Sequence, residues 1–227
     1  MDIWLILLIG LAPGLFWLWY FYRRDIYEPE PLSLVVKMFF LGMLAAGIAY
    51  LCENYVSTLM SGVLFVAVAV PLIEESAKFG MVVFFVYNDR EFDEPMDGIV
   101  YATATALGFA TIENLVYLLY LESLSSLFVT GTIRAILSVP GHALFAVFWG
   151  YGLGIAKFRP PGKRLRVILA GFLLAIGVHG LFNYFLEQSY TGLAVLLLLL
   201  LPCIWWVAEK RIRAALLTDH EPGSGST

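Results

Sequence analysis

Glu74, Glu75 and Lys78 lie in one long apolar stretch, Glu113 and Asn114 in the next, His142 in a third, and His179 with Asn183 in a fourth. Carboxylates and imidazoles are the side chains that move protons near neutral pH, and a carboxamide can donate a hydrogen bond to a developing oxyanion. Two adjacent carboxylates in a low-dielectric site do not readily carry two charges, so one can act as general acid while the other is the base. The chemistry indicated is attack of an activated water on a carbonyl, with Glu74, Glu75, Glu113, His142, His179 and Asn183 as the catalytic candidates. No serine or cysteine with a neighbouring base suggests a covalent nucleophile. Glu75, Glu113, His142 and His179 could instead hold zinc in an open site. No HExxH places two ligands on one helical turn, so a mechanism without a cofactor is favoured and zinc is the alternative.

The elements that must position these groups are membrane helices. The chain has 227 residues, 60% hydrophobic and 14% charged, a balance that one water-soluble core cannot hide. A helix needs about 20 apolar residues to cross the hydrocarbon layer. The pattern predicts an all-α bundle of about seven spans, near 3–22, 33–52, 59–87, 97–121, 131–156, 167–186 and 190–208. Residues 1–208 read as a single transmembrane domain and 209–227 as a basic, then flexible, cytoplasmic tail whose end, EPGSGST, is excluded from the fold. Arg23, Arg24, Arg90, the basic residues of 157–166 and those of 210–213 fall on one side of this model, and only Arg134 falls near the other. The positive-inside rule then puts the N-terminus outside and the C-terminus inside. Met1-Asp2 opens the first run without a basic n-region, so that run reads as a retained helix rather than a cleaved signal. Cys52 and Cys203 fall at different depths, which disfavours a disulfide. The net charge of -4 and the lack of a basic stripe argue against a nucleic-acid partner; the partner implied by composition is the lipid bilayer.

Each ionisable side chain at the centre of a span costs about 2.5 to 3.5 kcal/mol on insertion scales and so requires a reason. At a rise of about 1.5 Å per residue, Glu75, Glu113, His142, His179 and Asn183 all come out roughly 18 to 24 Å from the cytoplasmic ends of their helices. Groups distant in sequence thus converge on one layer. Glu74 and Lys78 stand four apart and are expected to pair, with Glu75 turned to another neighbour. Gly80, Gly108, Gly141, Gly177 and Gly180 are expected to bring the helices close around the site, and Pro71 to loosen the third span. Structural readings stand beside these: Glu113 and Asn114 could cap polar backbone in a kinked helix. The buried charges could also be the proton relay of a transporter, although no inverted repeat with broken helices is visible.

The segments APGLFWLWYFYRRDIYEPEP (12–31), EESAK (74–78), DEPMDGIVYATATALGFATIEN (93–114), PGHALFAVFWGYGLG (140–154) and GVHGLFNY (177–184), in that order, resemble the PrsW proteases. That family is similar to the CAAX prenyl endopeptidases and the bacterial CPBP group, whose motifs match Glu74-Glu75, Phe109 to Glu113 and His179 to Asn183 here. Glu113 stands where the prenyl endopeptidases carry histidine, which argues against a prenylated substrate. The resemblance implies a multi-pass protease of the bacterial plasma membrane. Its implied activity is the first cut of a membrane-anchored, single-span anti-sigma factor, on the extracytoplasmic side, in an envelope-stress response. A non-catalytic CPBP-like membrane protein is the reading from another class.

Overall fold

The computed structural model describes residues 2–188 and 190–219, and every regular element among them is helical. The segment 221–227 lies outside the described residues. In order, α1 is Ile3–Tyr22 and α2 is Leu32–Val56. α3 joins Gly62–Leu64, a π-helical turn Phe65–Ala69, and Val70–Phe85. α4 is Pro95–Leu119. α5 joins Leu124–Ile133, a second π turn Arg134–Ser138, and Val139–Lys157. α6 is Pro161–Glu187, and α7 joins Tyr190–Val195, a third π turn Leu196–Leu200, and Leu201–Asp219. Six of these seven rods are long and apolar enough to cross a membrane; the exception is α3, which carries Glu74, Glu75 and Lys78. Large apolar side chains such as Trp4, Leu8, Phe84 and Leu198 face outward, as lipid contact requires.

Prolines explain the three wide turns. A proline ring strikes the carbonyl four residues back and offers no N–H. Pro71, Pro140 and Pro202 each follow a π turn, and the residue just before each bonds five residues back: Val70 to Phe65, Val139 to Arg134 and Leu201 to Leu196. Two of these turns flank the site described below, where such bulges tend to occur. Pro13 in α1 is handled differently: Asn114 of α4 donates to Gly10 O at 3.1 Å and Ile9 O at 3.5 Å, covering the carbonyl that Pro13 cannot serve. The backbone-capping role thus falls to Asn114.

α4 and the second half of α5 form the centre, with Tyr101, Leu107, Phe145 and Trp149 buried. Glycines let the rods touch, though not always where the sequence suggests. A Cβ on Gly108 would meet Phe39 O at 1.8 Å, and one on Gly180 would meet Ala67 O at 2.1 Å, so these two serve close packing against α2 and α3. Gly177 has nothing within 4 Å, and Gly80 and Gly141 meet only side chains at 3.4 Å or more. Gly108→Ala is therefore expected to destabilise the protein by about 1 to 3 kcal/mol, because backbone cannot yield as a side chain can. Gly177→Ala should be neutral or slightly stabilising. Thermal unfolding in detergent compares them, and equal melting temperatures would contradict this packing.

The sequence ends the last span at 208; the helix runs on to Asp219. Glu209 holds that extension, pairing with Arg24 of the α1–α2 loop and with Arg213 at 3.2 Å. Cys52 and Cys203 are free.

Candidate functional site

Four rods build one buried polar network. α3 contributes Glu74, Glu75 and Lys78, α4 Glu113, α5 His142 and α6 His179. Lys78 is fully buried, and its ammonium donates to Glu75 Oε1 at 2.7 Å and His142 Nδ1 at 3.1 Å, with a longer contact to Glu74 Oε2 at 3.4 Å. The pairing expected between Lys78 and Glu74 is therefore mainly with Glu75, one residue closer along the helix. Because His142 Nδ1 accepts from Lys78, its Nε2–H is assigned as the donor to Glu113 Oε2 at 2.9 Å. His179 Nδ1–H donates to Glu75 Oε1 at 2.9 Å, and the Trp149 indole N–H donates to Glu75 Oε2 at 2.9 Å.

The two adjacent carboxylates thus differ sharply. Glu75 is fully enclosed and receives three donors. Glu74 receives one long contact, and its Oε2 faces His142 Nδ1 at 3.7 Å and His179 Nε2 at 3.9 Å. The His179 Nε2 left without a proton points at the less committed carboxylate.

Glu113 is half engaged. Arg134 donates to its Oε2 at 2.8 Å and to Asn114 Oδ1 at 3.1 Å, with the guanidinium 4.0 Å from the Tyr117 ring centre. A cavity of about 540 Å³ opens beside the network, lined by Glu53, Glu113, Arg134, His142, His179 and Asn183 among apolar side chains. Asn183 shares this cavity but is not bonded into the network; its Nδ2 donates at 3.4 Å to Val66 O in the first π turn. Sequence reasoning named Glu74, Glu75, Glu113, His142, His179 and Asn183; the first five meet in one network, and Asn183 lines the cavity beside it. It gave no role to Trp149, which reads as apolar, or to Glu53, whose Oε1 is buried and without a hydrogen-bond partner. Arg134 carried a signal: it is the basic residue on the wrong side of the charge asymmetry.

The donor set also fits a metal. One ligand atom each from Glu74, His142 and His179 lies within 4.8 Å of the others. One carboxylate and two imidazoles with an open position suit catalytic zinc. Each imidazole is held from behind by a carboxylate, Glu113 for His142 and Glu75 for His179, as metal-ligating histidines commonly are. Glu75 and Glu113, grouped with the histidines as zinc ligands on sequence grounds, stand behind the imidazoles rather than among the converging atoms. Lys78 competes for the same space, since it takes up the His142 Nδ1 lone pair.

Residues 30–208 match a protein-family model described as "PrsW family intramembrane metalloprotease". The chain is 40% identical over 217 residues to a protein named Protease PrsW from Geobacillus kaustophilus, covering 91% of this chain and 90% of the relative. It is 34% identical over 221 residues to the Bacillus subtilis protein of that name, covering 91% and 93%. The Clostridioides difficile relative, also named Protease PrsW, is 32% identical over 212 residues, covering 90% and 87%. No solved structure matches the chain.

Proposed function

The chain belongs to the PrsW family of intramembrane proteases, and from that premise we propose that Glu74 is the general base of a glutamate-driven peptide hydrolysis. The observation that carries this reading is the contrast between Glu75, locked by three donors, and Glu74, which faces two imidazoles with little else bound to it. Glu74 Oε2 and His179 Nε2 are close enough for one water to contact both. Glu74 takes a proton from that water as it attacks the scissile carbonyl and returns it to the leaving amine, while His179 Nε2 accepts a hydrogen bond from the water and orients it. Asn183 Nδ2 donates to the developing oxyanion, an interaction worth about 3 to 4 kcal/mol where such donors have been removed. Lys78 and Glu75 are positioning residues: they set the charge and the tautomers of the two histidines. Glu113, held by Arg134, fixes the His142 ring.

The substrate we propose is a single-span, membrane-anchored anti-sigma factor of a bacterial plasma membrane. The cavity, lined mostly by apolar side chains, suits a segment leaving the lipid. With the N-terminus outside, as the lysine and arginine distribution indicates, the catalytic layer lies nearer the outer surface, so the cut falls on the extracytoplasmic side. Co-expression with candidate single-span anti-sigma factors is expected to give a shortened product whose mass places the cut there, and none with His179→Ala. A product cut on the cytoplasmic side would invert the orientation, and full cleavage by His179→Ala would remove the mechanism.

The carboxylate-backed imidazoles favour one second reading, in which Glu74, His142 and His179 hold zinc. Bound there, zinc would polarise the scissile carbonyl as a Lewis acid. Removal of metal to well below one ion per chain should leave cleavage intact on the glutamate-base reading. Loss of activity, restored by zinc at one ion per chain, would favour the second.

A further inference from the structure

At the opposite end of α4 from Glu113, where α1 turns into α2, a second group of acids is buried. Asp25, Glu30 and Asp97 are 3%, 4% and 1% exposed, and one oxygen of each lies within 4.8 Å of the others. Asp97 Oδ2 accepts the backbone N–H groups of Asp93 at 2.7 Å and Glu94 at 2.6 Å, which fixes it at the start of α4. Glu30 accepts from the Tyr101 hydroxyl and is hydrogen-bonded to Asp97. The backbone N–H groups of Tyr27 and Glu28 lie near Asp25, yet no donor meets either of its oxygens in hydrogen-bonding geometry.

The neighbouring cations are turned elsewhere. Arg24 binds Glu209 and the Tyr20 hydroxyl, Arg23 lies over the Trp19 ring, and Lys157 donates to the backbone carbonyls of Tyr87 and Phe92. A buried carboxylate without a partner is costly, and three together are more so. Burial together with the neighbouring carboxylates pushes Asp25 up to about 6 and Glu30 up to about 10. The arrangement calls for positive charge that the described side chains do not provide.

We propose that Asp25, Glu30 and Asp97 form a binding site for a hard divalent cation, calcium or magnesium, that clamps the α1–α2 loop to the start of α4. All the converging atoms are carboxylate oxygens, the donors such ions prefer, with no nitrogen or sulfur to select zinc. Both Asp25 oxygens are available, and water can complete the coordination. Tyr22 donates to the Glu30 carbonyl at 3.1 Å, so the clamp draws in the end of α1 as well. This site shares no residue with Glu74, His142 and His179, and its occupancy does not depend on how the peptide bond is cut.

The test uses the full-length protein in detergent, stripped of metal and titrated separately with calcium chloride and magnesium chloride. Unfolding temperature and bound ion per chain are both read. The expected result is a saturable rise in unfolding temperature with one ion bound, at least about tenfold weaker in Asp25→Asn and in Glu30→Gln and retained in His142→Ala/His179→Ala. The two acidic variants guard against one failing to fold. Absence of saturable binding, or binding unchanged in both acidic variants, would overturn the site. So would an ion-independent stabilisation by Asp25→Asn, which would show that shared protons alone settle the cluster.

Discussion

Glu74→Gln is expected to lower peptide cleavage by about 10²- to 10⁴-fold, the range a positioned general base supplies, while the protein still folds. The amide keeps the shape of the side chain, and the only hydrogen bond Glu74 makes among the described residues is the long one from Lys78 at 3.4 Å, so little packing or pairing is lost. Glu75→Gln should behave differently. It removes the 2.7 Å partner of a buried ammonium and weakens the acceptors for Trp149 and His179. It should therefore lose stability as well as activity. Melting curves taken beside cleavage rates separate the two. A Glu74→Gln protein that cuts at the wild-type rate would move the base elsewhere, with Glu113, which lines the cavity and bonds His142, the next candidate.

Lys78→Met carries the largest expected effect on stability. Lys78 has no exposed surface and sits between Glu75, Glu74 and His142, its ammonium 4.4 Å from the Phe109 ring centre. Removing one partner of a buried ion pair typically costs about 3 to 5 kcal/mol, because the charge left behind has no compensation. Here it also leaves His142 Nδ1 without its donor. The double variant Lys78→Met/Glu75→Gln should recover part of that loss, since both charges then leave together, and the recovery measures their coupling. A melting temperature unchanged by Lys78→Met would show that the ammonium does not hold the network together.

The convergence of Glu74, Glu75, Glu113, His142 and His179 was legible from the sequence because membrane helices have a fixed rise and a fixed thickness to cross. Depth alone brings such residues to one layer. Which carboxylate Lys78 chooses was not legible: spacings of three and four both place a partner on the same face, and the choice follows from Trp149 and His179 closing around Glu75. Arg134 could be noticed as an exception to the charge asymmetry, but its double grip on Glu113 and Asn114 depends on how α4 and α5 cross. The burial of the acids at 25, 30 and 97 was not legible, because sequence shows their hydrophilicity and not the enclosure imposed when α1, α2 and α4 meet. Gly108 and Gly177 look alike in sequence and differ only in what faces them. The wide turns before Pro71, Pro140 and Pro202 follow from the proline ring and were foreshadowed only at Pro71.

The central claim is that this buried network hydrolyses a peptide bond through Glu74, and reconstitution tests it most directly. Purified wild type and Glu74→Gln, matched for folded fraction, are placed in liposomes with a single-span anti-sigma substrate, and the products are weighed by mass spectrometry. The account predicts two fragments from the wild type whose masses sum to the substrate plus one water, and intact substrate with Glu74→Gln over the same time. Equal fragment yields from both proteins would contradict it.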